Sequence, residues 1–355
     1  MSLSVPLIHP LDQSAIQAAR ERQNQLTKPA GSLGRLEELS IQLAGITGKN
    51  IPTIKDKVII VMAGDHGVVA EGVSAYPQEV TPQMVLNFLA GGAAINVLAR
   101  QVGARVVVVD MGVANDIDAG RGGVTPPLLI QCRVASGAMN LAQGPAMTRE
   151  QAEESVQSGI EIALAEISKG ADILGTGDMG IGNTTPSAAI ACALMNASPE
   201  KIAGRGTGVD DDGLQRKISV IARALDVNKP NPKDGLDVLA KVGGFEIGGL
   251  AGVMIGAASK RVPVMVDGFI STAAALIAVT IAPQCKDYLI FAHRSKENGH
   301  ALMLEWLGVK PLLDLDLRLG EGTGAALGMS LAESACKILA EMATFGEAGV
   351  SQIVE

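Results

Sequence analysis

The sequence predicts an α/β fold, a parallel β-sheet flanked by helices, with a smaller helical lobe made from the N- and C-terminal segments. Three observations predict it. Short β-branched apolar runs recur through the middle of the chain, Ala-rich stretches of helical periodicity separate them, and each run ends in Gly, Asp or His. Alternation of this kind implies parallel strands joined by right-handed helical crossovers. In such sheets ligands bind beyond the carboxyl ends of the strands, which is where these polar residues fall.

From Leu11 to Gly48 the residues Leu33, Leu36, Leu39, Leu43 and Ile46 recur at helical spacing, interrupted by the loop Lys28-Pro29-Ala30-Gly31-Ser32, and predict a helical N-terminal lobe. The run 57–62 is a buried strand that delivers Ala63-Gly64-Asp65-His66-Gly67. Equivalent runs end in Asp110-Met111-Gly112, Gly175-Thr176-Gly177, Asp267-Gly268 and Ala292-His293. Between them, residues 85–101 and 150–169 read as helices. The segment 228–233, with Pro230 and Pro232, separates two more, and Asp210-Asp211-Asp212 reads as a helix cap rather than a cation site. From Arg318 onward a long helical pattern returns, with Leu331, Ala335, Ile338, Leu339 and Met342 apolar. The expected division is residues 1–50 plus about 325–355 for the small lobe and 51–324 for the large catalytic domain.

Composition narrows the function. Nearly half of the 355 residues are hydrophobic but only 2% are aromatic, so stacking of bases on aromatic rings is not the binding mode. A net charge of -8 with dispersed Lys and Arg argues against nucleic acid and anionic membrane surfaces. Apolar stretches such as 273–282 are shorter than the ~20 residues of a membrane span. The four cysteines form no CxxC pair, and the first residues lack a basic region followed by an apolar one, so a cytoplasmic location is expected.

Four glycine-dense strings stand out: 175–185, 204–208, 243–249 and 320–324. Glycine lets backbone N–H groups turn toward an anion, and a helix starting just beyond adds its positive end. Pro186 marks such a start after the first string. The alternative is that the glycines serve only tight turns and close packing. Gly175, Gly177 and Gly180 also spell GxGxxG, but no strand ending in an acidic residue follows about 20 residues on, which disfavours a dinucleotide-dependent dehydrogenase. Asp65, His66, Asp267 and His293 lack metal-ligand spacing and read as residues that shape a cleft and fix loops. Glu321 lies between glycines, where a small loop exposes it and partial desolvation could tune it into a base. A nucleotide sensor without catalysis is the third reading; it has no evident use for such a glutamate.

Taken together, the strings Leu26-Thr27-Lys28-Pro29-Ala30-Gly31-Ser32-Leu33-Gly34, Gly180-Ile181-Gly182-Asn183-Thr184-Thr185, Val242-Gly243-Gly244-Phe245-Glu246 and Arg318-Leu319-Gly320-Glu321-Gly322-Thr323-Gly324 resemble the nicotinate-nucleotide:dimethylbenzimidazole phosphoribosyltransferase family of cobalamin nucleotide-loop assembly. The resemblance runs through nearly the whole chain. It implies a Rossmann-like sheet, a homodimer, no cofactor and no metal, and transfer of phosphoribose from nicotinate mononucleotide to 5,6-dimethylbenzimidazole. By the same resemblance, Glu321 is the catalytic base. Gly180, Gly182, Asn183, Thr184, Gly206, Lys217 and Arg318 hold the nucleotide phosphate, and Ser74, Tyr76, Gln83 and Met84 wall the base pocket. Asp178 is a catalytic candidate too, but it stands where the family usually has Glu, one methylene longer.

Overall fold

The computed structural model of the chain describes residues 3–117, 129–206 and 208–351. Its elements run α1 (Gln13–Gln25), α2 (Arg35–Thr47), β1 (Lys57–Gly64), α3 (Val80–Ala90), α4 (Ala94–Val102), β2 (Ala104–Gly112) and β3 (Ile130–Gln131). There follow α5 (Arg149–Ser168), β4 (Ile173–Met179), α6 (Thr184–Met195), α7 (Pro199–Ile202), α8 (Asp211–Asn228), α9 (Gly235–Val242), α10 (Phe245–Ser259) and β5 (Val264–Val266). The chain closes with α11 (Phe269–Ile281), β6 (Leu289–Phe291), α12 (His300–Leu307), α13 (Thr323–Glu341) and α14 (Phe345–Ala348).

The six strands form one parallel sheet in the order β3-β2-β1-β4-β5-β6. Every residue of β1 is buried, as its unbroken apolar run requires of a central strand covered on both faces. The order reverses at β1: the chain moves outward to β2 and β3, then returns to place β4 on the other side of β1. This is the topological switch point, where the connections leave toward opposite faces and open a crevice beyond the strand ends. α10 and α11 cover one face and α4 and α13 the other, with α1 and α2 packed outside α13.

Three expectations need correction. The predicted helix 85–101 is two helices, α3 and α4, broken at Gly91-Gly92, where Gly91 takes a left-handed φ of 78°. Residues 80–102 together are long and apolar enough to cross a membrane by length and composition, but this break divides them. The string 243–249 is mostly helix: Gly248 and Gly249 lie inside α10, where a Cβ on Gly248 would stand 2.1 Å from Ser155 Oγ of α5 and one on Gly249 would stand 2.4 Å from Met62 Sδ of β1. Those glycines let α10 pack closely against α5 and the sheet. Likewise Gly175 and Gly177 belong to β4, so the GxGxxG spelling straddles a strand end instead of forming one loop.

Candidate active site

Beyond the ends of β1 and β4 lies a cleft of about 90 Å³, open to solvent, whose walls include Asp178, Gly180, Asn183, Thr184, Gly206, His293, Arg318 and Gly320. One end is built for an anion. The turn from Gly180 to Asn183 leads straight into α6, so the positive N-terminal end of that helix borders the cleft, with Gly182 at φ 88° making the turn. Lys217 crosses from α8, and its Nζ donates to Thr184 Oγ1 at 2.6 Å and to the Gly204 carbonyl at 3.2 Å. The side chain is 1% exposed, and burial pushes its pKa down to about 8, with Glu297 opposing. Arg318 Nη1 donates to the Gly206 carbonyl at 3.0 Å. Of the residues expected to hold phosphate, Gly180, Asn183, Thr184, Gly206 and Arg318 line the cleft, whereas Gly182 and Lys217 do not, Lys217 meeting it through Thr184; Thr207 of the 204–208 string lies outside the described residues.

At the other end Asp178 and Gly320 line the cleft, with the buried carboxylates of Glu321 and Asp267 behind its wall. Gly320, Glu321 and Gly322 all have positive φ, at 81°, 63° and 90°. For the glutamate this is a costly backbone, of the kind that persists only where surroundings enforce it. β4 enforces it: a Cβ on Gly177 would stand 2.5 Å from the Glu321 carbonyl oxygen, so the turn presses against a strand with no side chain there. Asp267 holds the turn from behind, its carboxylate accepting from Gly322 N at 3.2 Å and Ala325 N at 3.0 Å across the start of α13.

The expected exposure of Glu321 is corrected by the structure. The residue is only 5% exposed, and its Oε2 accepts from Ile95 N at 3.2 Å, at the positive N-terminus of α4. Burial raises its pKa and that N–H opposes the rise. Asp178 accepts from Asn183 Nδ2 at 2.9 Å, and its pKa lies well above the usual carboxylate range because of burial and the neighbouring Asp267, Glu246 and Glu321 charges. Burial likewise carries Asp267 up to about 7 against its three backbone donors.

Asp267 therefore links stability to pH. With a folded pKa near 7 above an unfolded value of 3.8, the folded chain binds the extra proton between them, so this group's contribution grows as pH falls below 7 and is least above it. Denaturant unfolding at pH 8 and pH 6 should show wild type gaining on the order of 1 kcal/mol over Asp267→Asn at the lower pH. A difference that stays constant between the two would contradict the raised pKa.

The remaining predicted residues are not gathered here. Ser74, Tyr76, Gln83 and Met84 do not line the cleft, and Tyr76 is 52% exposed. They stand on the approach to α3 and on α3 itself, whose Thr81 Oγ1 accepts from Ile181 N at 3.1 Å and so ties that helix to the phosphate turn. Sequence reasoning missed the α4 N-terminus that receives Glu321, and the anchoring of Asp267. It also missed His300, fixed between Ser295 N at 2.7 Å and Thr272 Oγ1 at 2.8 Å and driven by burial to a pKa of about 3. The Gly91-Gly92 pair was the available signal for the first: it restarts a helix in the middle of an apolar run.

A family described as phosphoribosyltransferase matches residues 8–350. The nicotinate-nucleotide–dimethylbenzimidazole phosphoribosyltransferase of Chloroflexus aggregans is 60% identical over 345 residues, covering 97% of this chain and 96% of its own. The protein of the same name from a Roseiflexus species is 60% identical over 355 residues, covering 100% of this chain and 99% of its own. Among solved structures, the phosphoribosyltransferase of that name from Thermus thermophilus superposes with a TM-score of 0.90 at 48% identity, over 97% of this chain and 100% of that one. A structure titled CobT from the same organism gives 0.91 at 49% identity, over 96% and 100%.

Proposed function

Because the chain belongs to the nicotinate-nucleotide–dimethylbenzimidazole phosphoribosyltransferase family, we propose that it transfers phosphoribose from nicotinate mononucleotide to 5,6-dimethylbenzimidazole or a related base, releasing nicotinate and α-ribazole 5′-phosphate for the cobalamin lower ligand. One observation carries the reading: Asp178 joins the anion cradle to the Glu321 turn. It touches the cradle through Asn183, and the turn through Gly320, where a Cβ would lie 3.1 Å from Asp178 Oδ2. A phosphate held at the start of α6 leaves the ribose beside Asp178, with its anomeric carbon toward Glu321.

The chemistry asks little beyond placement. Nicotinate mononucleotide carries a cationic pyridinium, so the breaking C–N bond returns its electron pair to a ring that becomes neutral. No acid need protonate it. Glu321 takes the N–H proton of the azole while the other ring nitrogen attacks the anomeric carbon from the face opposite nicotinate, and β becomes α by inversion. A glutamate with a raised pKa accepts that proton more readily than an ordinary surface carboxylate. Holding two substrates in line supplies much of the remaining acceleration. The homodimer belongs to the same reading.

Nicotinate release, followed by chromatography with a panel of benzimidazoles, purines and phenols as acceptors, tests the reaction. Release that depends on an azole supports it; no release with any acceptor overturns it. The shorter Asp178 carries its own expectation: Asp178→Glu should change kcat or acceptor preference at least threefold, because one methylene shifts the carboxyl by more than an ångström against a ribose held by its phosphate. Parent and variant with the same constants would remove Asp178 from the reaction.

A further inference from the structure

The proposed chemistry leaves one buried titratable pair unused. His66 follows β1 and Glu246 opens α10, 180 residues apart, yet His66 Nε2 stands 2.9 Å from Glu246 Oε1, with both side chains fully buried. Three glycine positions make room for them. A Cβ on Gly244 would lie 2.4 Å from His66 Cε1, and one on Gly64 would lie 2.8 Å from Glu246 Oε2. A Cβ on Gly180 would lie 2.2 Å from the Gly64 carbonyl oxygen and 3.2 Å from His66 Nε2. The imidazole is therefore wedged between the first residue of the phosphate turn and the start of α10. Burial, the largest single influence, depresses its pKa, but the Glu246 and Asp65 carboxylates together outweigh it and raise the pKa. Glu246 in turn sits in the first turn of α10, where the helix N-terminus favours its charge.

We propose that the close, buried pair His66–Glu246 is a positioning element for nicotinate mononucleotide: it forms the floor under Gly180 that fixes the height of the turn 180–183, and hence of the phosphate cradle, relative to the carboxylates at the ends of β4 and β5. The inference rests on the proposed function of the same cleft. The imidazole lies beneath Gly180 and the carboxylate against Gly64, so the pair acts through the turn. Its geometry explains a glycine at 180 without invoking an anion, since the backbone there rests on Gly64 and the ring. A floor of this kind has a distinctive consequence. Its loss weakens the ligand whose phosphate the turn holds and spares the acceptor azole, whereas a purely structural pair lowers stability without separating the two.

Titration calorimetry reads this on the full chain, with nicotinate mononucleotide and dimethylbenzimidazole as separate ligands, for wild type, Glu246→Gln and His66→Gln. Each variant should weaken nicotinate mononucleotide at least tenfold and leave dimethylbenzimidazole within twofold. The double variant should lose no more than the worse single one, because the residues act as a unit. Unchanged nicotinate mononucleotide binding in a variant with native circular dichroism overturns the proposal, as does equal weakening of both ligands. Should neither variant fold, Glu246→Asp, which withdraws the carboxylate from the imidazole by one methylene, is read by the same criteria. Because binding is measured and not turnover, failure of the transfer reading shows separately, as a wild-type protein that binds nicotinate mononucleotide yet releases no nicotinate.

Discussion

Replacing Glu321 with Gln is expected to lower kcat for transfer by about 10²- to 10⁴-fold, the usual contribution of a positioned general base. The amide keeps the shape and can still meet the Ile95 N–H with its oxygen, so the Gly320-Glu321-Gly322 turn should survive. What disappears is the ability to take the azole proton. KM for both substrates should stay within a few-fold, because the group acts when the proton moves and contributes little to ground-state binding. The raised pKa adds a pH signature: the wild-type rate should climb as pH rises through the carboxyl's ionisation, and the variant should lose that limb. A variant retaining half of wild-type kcat would remove Glu321 from the chemistry.

Lys217→Met should act on the other end of the cleft and on the other constant. Truncating a charge-assisted hydrogen bond to phosphate typically costs about 1.5–3 kcal/mol, or roughly 10- to 150-fold in affinity. The loss should appear in KM for nicotinate mononucleotide and leave the azole constant alone. Since burial brings the free lysine to about 8, wild-type affinity should fall above pH 8 as the ammonium deprotonates, and the Met variant should be flat over the same range. Thr184 and the Gly204 carbonyl, which the ammonium now meets, keep its stem in place. An unchanged KM would place the phosphate elsewhere.

The sheet was legible in the sequence because its central strands are buried on both faces. Runs such as 57–62 must then be continuous and β-branched, and each must end where polar residues can begin. β3 was not legible, since two residues paired to the end of β2 leave no period to read. The glycine strings were legible as places where something approaches the backbone closely, but not as to what approaches. At Gly182 it is a turn before a helix start; at Gly177 it is the Glu321 turn, and at Gly248 another helix. A single chain cannot distinguish these, because the approaching partner lies up to about 150 residues away. Glu321 shows the same limit. Its flanking glycines revealed a special backbone, but the burial that tunes it comes from α4, more than 200 residues earlier. The pairing of His66 with Glu246 and the capping of α13 by Asp267 left no local pattern at all.

The central claim is that an azole attacks the anomeric carbon from the face opposite nicotinate, with Glu321 taking its proton. The anomeric proton of the product, read by nuclear magnetic resonance on material made from nicotinate mononucleotide and dimethylbenzimidazole, tests this most directly. The account predicts the α-anomer of the azole nucleotide and a loss of that signal in Glu321→Gln. A β-configured product, or ribose 5-phosphate in its place, would contradict it.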